Sequence, residues 1–147
     1  MLRGIDPILS PELLGFLRAM GHGDEIVIAD ANFPAQSMAR RLVRLDGIDA
    51  PRVVRAILSV MPLDSFVDHP ALSMAPVDDP AATPPVVARF QTVIDAVADS
   101  PASILPMERF AFYERARTAF AVVATGETAH YGNLILKKGV LPSQDTT

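Results

Sequence analysis

The chain has 147 residues, of which 50% are hydrophobic and 20% charged, a composition typical of a globular protein. Its net charge of −4 disfavours a nucleic-acid or anionic-membrane partner, and its lack of cysteine excludes disulfides and thiolate metal sites. The apolar segments are too short to span a bilayer, and Asp6 and Pro7 interrupt the place where a signal peptide has its apolar core, so we expect a cytoplasmic protein.

Helices are predicted where apolar residues recur every three or four positions, and strands where short β-branched runs are bounded by turn residues. In chain order these patterns predict a helix at 11–20, a strand at 25–29, helices at 38–44 and 51–61, a strand at 72–77, a helix at 86–97, a strand at 103–107, a helix at 109–118, and strands at 120–125 and 133–136. This alternation is typical of a three-layer α/β fold, with a largely parallel sheet flanked by helices. We expect one domain, residues 1–142, followed by a frayed polar tail at 143–147.

The strand at 25–29 has candidate functional residues at both ends. His22 lies between two glycines just before it, and Asp30 follows it directly. Ligands of open α/β sheets usually bind beyond the carboxyl ends of the strands, which is where Asp30 lies. His22 and Asp30 can meet across one pocket if the loop folds back, or if His22 comes from one subunit and Asp30 from another.

Motifs for bound cofactors are missing from the chain. The three histidines show no HExxH or similar metal spacing, and His69 and His130 are expected to have no functional role. The Gly-His-Gly at 21–23 precedes a strand, whereas a dinucleotide-binding fingerprint follows one. No GxSxG elbow occurs either. We therefore expect neither a metal nor a cofactor.

Two further segments combine groups that can contact a sugar. Tyr131 and Asn133 flank Gly132, and a tyrosine ring and a carboxamide can pack on and hydrogen-bond a sugar. A turn in which Gly132 supplies an unusual φ explains the same segment equally well. The densest aromatic patch is 109–116, whose phenylalanines we expect in the core.

The chain resembles the fucose-mutarotase branch of the ribose-pyranase/fucose-mutarotase family over about residues 2–142, and eight segments carry the resemblance. They are Ser10-Pro11-Glu12-Leu13-Leu14, Met20-Gly21-His22-Gly23-Asp24-Glu25-Ile26, Asp30-Ala31, Phe33-Pro34-Ala35, Arg109-Phe110-Ala111-Phe112-Tyr113-Glu114-Arg115-Ala116, Thr125-Gly126-Glu127, Tyr131-Gly132-Asn133 and Leu136-Lys137-Lys138-Gly139-Val140. Both branches share the Gly-His-x-Asp, Asp-Ala and Tyr-x-Asn elements. The FAFYERA and LKKGV segments resemble the fucose branch.

The resemblance implies a Rossmann-like α/β domain that acts on a monosaccharide as a homo-oligomer, with rings stacked into decamers. It implies that His22 is an acid/base catalyst, and Tyr131 or a water is then available for the second proton. It also implies that Asp30, Arg109, Tyr131 and Asn133 line the sugar site.

Two positions depart from the fucose branch, whose members carry histidines where this chain has Asn32 and Gln36. Both side chains can hydrogen-bond, but neither titrates near neutral pH. If either position takes part in the acid/base step or contacts the sugar hydroxyls, the sugar preference of this chain can differ from that of the fucose branch.

The resemblance predicts a mutarotase, which interconverts the α and β anomers of a monosaccharide. The expected monosaccharide is L-fucose. Ring opening and closure need a general acid and a general base, and imidazole is suited to that task near neutral pH. Two alternatives are a D-ribose pyranase, which exchanges pyranose and furanose forms, and a sugar-binding accessory protein without turnover.

Overall fold

The computed structural model describes residues 1–144. Its helices are α1 (Pro11–Ala19), α2 (Ala35–Met38), α3 (Ala50–Leu58), α4 (Pro85–Val97) and α5 (Arg109–Thr118), and its strands are β1 (Glu25–Ala29), β2 (Leu42–Leu45), β3 (Ala71–Met74), β4 (Leu105–Met107), β5 (Ala121–Thr125) and β6 (Leu134–Lys137). Of the predicted tail, residues 143–144 are exposed and irregular, and residues 145–147 lie outside the described residues.

The strands form one six-stranded sheet in the order β2-β5-β1-β6-β3-β4. Neighbouring pairs are parallel, except that β6 runs antiparallel to both β1 and β3. The predicted largely parallel α/β sheet is therefore confirmed. Because β6 lies antiparallel to the central strand β1, the residues just before β6 are brought beside the residues just after β1.

Helices cover both faces of the sheet, which gives the predicted three layers. Ile26 and Ile28 of β1 face a core built with α1, α3 and α4, whereas Val27 and Ala29 face a second core that includes Phe112 of α5. Successive side chains of a strand point to opposite faces, so a strand covered on both faces is apolar throughout. The unbroken apolar run of β1 is explained by this double burial.

The helix predicted at 38–44 is wrong. Residues Ala35–Met38 form a single short helix, and Leu42–Leu45 form the edge strand β2, paired in parallel with Val122–Thr125 of β5. The free edge of β5 decides the conformation of this segment. Such tertiary pairing routinely overrides weak local propensity.

None of the helices in residues 1–144 combines the length and the apolar character needed to cross a membrane.

Candidate functional site

A cleft of about 490 Å³ opens at the carboxyl end of β1. Its lining residues come from the segments that follow β1 and β3, from the segment that precedes β6, and from the start of α5. All four predicted sugar-site residues line it. The complete lining is Asp30, Asn32, Phe33, Met74, Val77, Asp78, Arg109, Tyr113, His130, Tyr131 and Asn133.

A buried hydrogen-bond network joins Asp30 to the segment before β6. Asn133 accepts from the Asp30 backbone N–H through Oδ1 at 2.8 Å, and its Nδ2 donates to Asp30 Oδ2 at 3.0 Å. The backbone N–H groups of Gly132 and Asn32 also donate to this carboxylate, at 3.2 and 3.0 Å. Burial raises the pKa of Asp30, and these donors oppose the shift. The carboxylate is therefore rigidly oriented at the floor of the cleft.

Tyr131 carries the unusual backbone conformation of this turn. Its φ is +63°, a left-handed value that costs a bulky residue on the order of 1–3 kcal/mol and tends to occur at functional sites. Gly132 is needed for a different reason, because a Cβ there would lie 2.7 Å from Glu127 Cγ and 3.3 Å from Asp30 Cβ. The phenol oxygen of Tyr131 accepts from the Val77 backbone N–H at 3.1 Å. Its own O–H therefore remains available to a ligand in the cleft.

The first residue of α5 supplies the cation of the cleft. Glu108 caps this helix by accepting from the backbone N–H groups of Phe110 and Ala111, which fixes Arg109 at the rim. Arg109 Nε donates to the Tyr113 hydroxyl at 3.1 Å, and this bond raises the pKa of Arg109. The remaining guanidinium N–H groups can donate to hydroxyl groups of a ligand.

The two positions that depart from the fucose branch differ in location. Asn32 lines the cleft, whereas Gln36 lines an adjoining depression of about 400 Å³ that shares Asp30 and Phe33 with it. His130, expected to have no role, also lines the cleft. Of the two, Asn32 is therefore the one placed to contact a bound sugar.

His22 lies in a different place. Its side chain is 45% exposed, and its Nε2 lies 3.1 Å from Oδ1 of Asp64, which is 2% exposed. Because a carboxylate only accepts, this contact selects the tautomer with hydrogen on Nε2, which leaves the lone pair of Nδ1 free. This arrangement resembles the acid–base pairs in which a buried carboxylate selects the tautomer of a histidine.

The last residue of β6 and the residues that follow it fix both members of this pair. The backbone of Lys138 bonds to Gly23 N–H and to Asp24 C=O, and its Nζ caps α1 by donating to the carbonyls of Leu17 and Met20. Asp64 N–H donates to the Lys137 carbonyl at 3.0 Å. The Lys-Lys-Gly of the LKKGV segment thus fixes the turn that carries His22 and the loop that carries Asp64.

Asp64 was not predicted from the sequence, because it lies 42 positions from His22 and only the fold joins them. The loop does not fold back, and His22 is not among the residues that line the cleft. Strand β1 separates His22 from Asp30, and five residues of strand extend over about 17 Å. One monosaccharide cannot contact both groups of the same chain.

Known proteins resemble this chain over nearly its whole length. Residues 3–141 match the RbsD / FucU transport protein family. The L-fucose mutarotase of Haemophilus influenzae (strain 86-028NP) is 47% identical over 142 residues, covering 97% of this chain and 99% of that protein. The fucose mutarotase of Bos taurus is 50% identical over 151 residues, covering 99% and 97%.

The fold is shared with solved structures. The fucose mutarotase of Streptococcus pneumoniae in complex with L-fucose has a TM-score of 0.89 and 44% identity, covering 96% of this chain and 100% of that one. Bacillus subtilis RbsD complexed with D-ribose has a TM-score of 0.73 at 23% identity, covering 97% and 100%, a likeness of fold alone. The chain belongs to the RbsD / FucU family.

Proposed function

We propose that this protein is a mutarotase that interconverts the α and β anomers of L-fucose. The observation that carries the proposal is the cleft at the end of β1, where a buried carboxylate, a carboxamide, a phenol and a guanidinium converge. Full-length identity of 47% to an L-fucose mutarotase supports the same activity. The protein is then an isomerase, and we propose that it acts as one domain over residues 1–142, in the cytoplasm.

We propose that the cleft binds the sugar. Asp30 accepts hydrogen bonds from sugar hydroxyl groups, and Asn133 and Arg109 donate to them, while Tyr131 offers its free O–H. Phe33, Met74 and Val77 give the cleft an apolar wall. A small polar ligand with some apolar surface fits such a lining.

We further propose that the acid/base group comes from a neighbouring copy of the chain. His22 is exposed, oriented by Asp64 and remote from the cleft of its own chain. A homo-oligomer that places His22 of one copy over the cleft of the next completes the site. The positive mean hydropathy of the chain supports an assembly that covers apolar surface. A decamer of stacked rings, expected from the resemblance, is one such assembly.

The chemistry needs two proton transfers. Nδ1 of His22 takes the proton of the anomeric hydroxyl, the bond between C1 and the ring oxygen breaks, and the Tyr131 phenol gives its proton to that oxygen. The product is the open-chain aldehyde, which rotates about its C1–C2 bond. Reversal of both transfers on the other face of C1 closes the ring as the other anomer and restores both side chains. Each positioned acid/base group typically contributes about 10²–10⁴ in rate.

Two alternatives are separated from this proposal by one experiment. Saturation-difference NMR at equal enzyme concentration measures anomer exchange of L-fucose and of D-ribose. We expect faster exchange of L-fucose. Equal or faster exchange of D-ribose favours a pyranase, and binding of L-fucose without accelerated exchange favours a sugar-binding accessory protein.

Complementation between inactive variants tests the shared site. His22→Ala leaves the cleft intact, and Arg109→Ala leaves the His22–Asp64 pair intact. If each site joins two copies, a co-assembled equal mixture regains activity in about a quarter of its sites. The control is the same pair mixed after separate assembly without exchange of subunits. If the co-assembled mixture is no more active than the average of the two variants, the shared site is refuted. If light scattering gives the mass of a monomer at micromolar concentration, the oligomer is refuted.

A further inference from the structure

The loop that carries Asp64 also presents a large aromatic side chain to solvent. Phe66 is 71% exposed, and its ring centroid lies 5.3 Å from that of His22, with the two planes tilted by 56°. A phenyl ring exposed beside the proposed acid/base histidine is an apolar surface that a bound ligand can cover.

One carboxylate oxygen fixes both rings. Oδ1 of Asp64 accepts from the Phe66 backbone N–H at 3.0 Å and from His22 Nε2 at 3.1 Å. Asp64 is itself held by Lys137, and Gly139 packs so closely that a Cβ there would lie 2.8 Å from Asp64 Cα. The imidazole and the phenyl ring are therefore presented together, as a preformed surface with one polar and one apolar part.

This surface matches one region of a 6-deoxyhexose. In the proposed mechanism the imidazole must reach the anomeric hydroxyl on C1, and C1 is bonded to the ring oxygen. C5 is bonded to the same ring oxygen and carries the C6 methyl, so this apolar substituent lies on the side of the sugar that holds the anomeric carbon. The phenyl ring lies beside the imidazole, with the two ring centroids 5.3 Å apart, so it is the apolar group of this surface that can pack on the methyl.

We propose that Phe66 is a specificity-determining residue that packs on the C6 methyl of the sugar bound in the neighbouring copy. The inference rests on the proposed function, because only the shared site brings Phe66 to the sugar. Val67, the next residue, is 39% exposed but lines a separate depression with Leu72 and Leu105. Val67 is therefore a matched control within the same loop.

The test compares two sugars that differ only in this methyl. D-Arabinose in its pyranose form has the ring stereochemistry of L-fucose, with a hydrogen in place of C6. Exchange NMR gives kcat/KM for both sugars with the wild-type protein, Phe66→Ala, Phe66→Leu and Val67→Ala. One apolar carbon in a pocket is worth at least about tenfold in discrimination. We expect Phe66→Ala to lower the L-fucose/D-arabinose ratio about tenfold, mainly through the L-fucose value, and Val67→Ala to leave it unchanged.

Phe66→Leu keeps an apolar side chain and is expected to retain an intermediate ratio. Light scattering shows whether Phe66→Ala assembles, and if it does not, Phe66→Leu provides the comparison with the wild-type protein. The proposal is overturned if the ratio is unchanged in an assembled, active Phe66→Ala or Phe66→Leu protein, or if Val67→Ala lowers it equally. These outcomes differ from failure of the proposed function, in which the wild-type protein accelerates neither sugar or the complementation test restores nothing.

Discussion

Asp64→Asn is the sharpest test of the His22–Asp64 pair. The asparagine has the same shape, and its amide oxygen can still accept from the Phe66 backbone N–H and from His22 Nε2. What is lost is the negative charge that would stabilise the imidazolium formed in the proposed proton transfer. A hydrogen bond to a charged partner contributes about 1.5–3 kcal/mol, and Asp64 is buried, where solvent screens the charge little. At 1.36 kcal/mol for each factor of ten, kcat is expected to fall about tenfold to 150-fold.

The assay is anomer-exchange NMR of L-fucose at several sugar concentrations, which separates kcat from KM. KM is expected to stay unchanged, because Asp64 does not line the cleft. The ¹⁵N spectrum of the imidazole gives a second reading. We expect one tautomer, with hydrogen on Nε2, in the wild-type protein, and a second tautomer in that fraction of the variant whose amide turns and donates its NH2 to Nε2. A folded Asp64→Asn protein with unchanged kcat, or with a change in KM alone, refutes the assigned positioning of His22.

Three further outcomes are expected. His22→Ala lowers anomer exchange by about a hundredfold or more without loss of folding, and exchange near the wild-type rate moves the acid/base role elsewhere. Gly132→Ala is expected to lower the free energy of unfolding by about 1–3 kcal/mol, because the added Cβ meets close neighbours. Gly15→Ala, at an exposed helix position with open space around it, is expected to raise the free energy of unfolding by about 0.5–1 kcal/mol. Urea unfolding measures both changes, and equal effects of the two substitutions refute the packing argument. Arg52 holds the pKa of Asp6 below its usual value, so this stabilisation is present above about pH 4 and is lost as the pH falls through the lower folded value. The free energy of unfolding, measured from pH 7 to pH 2, is expected to fall less steeply with acid in Arg52→Ala than in the wild-type protein. The same pH dependence in both proteins contradicts this contribution of the Arg52–Asp6 pair.

Regular elements were predictable where local signals agree with the fold. The predicted bounds of β1 and α5 are those of the structure, because β1 is apolar on both faces and a capping glutamate starts α5. Strand β2 was not predictable, because its four residues become a strand only by pairing with β5. The reversed direction of β6 is likewise set by tertiary pairing, since nothing in its own residues specifies an antiparallel neighbour.

The candidate site was predictable only in part, for a related reason. Asp30, Arg109, Tyr131 and Asn133 were expected from the family resemblance, and the antiparallel β1–β6 pairing explains why residues about 100 positions apart share one cleft. Asp64 and Phe66 belong to no motif that was recognised. Their relation to His22 depends on the path of the chain after β6, which local patterns do not reveal.

Strand β6 connects the two halves of the proposed site. Asn133 at its start bonds to Asp30 in the cleft, and Lys138 beyond its end holds the turn that carries His22. Because a hydrogen-bonded strand is stiff, the halves stay about one strand length apart in each chain. If each copy gives its cleft to one neighbour and its His22 to another, the contact is heterologous. Such contacts form a ring with one site for each copy when the rotation between neighbours closes, as in the proposed assembly. Activity per chain is then expected to fall on dilution as the ring dissociates, whereas a site complete within one chain keeps it constant at every concentration.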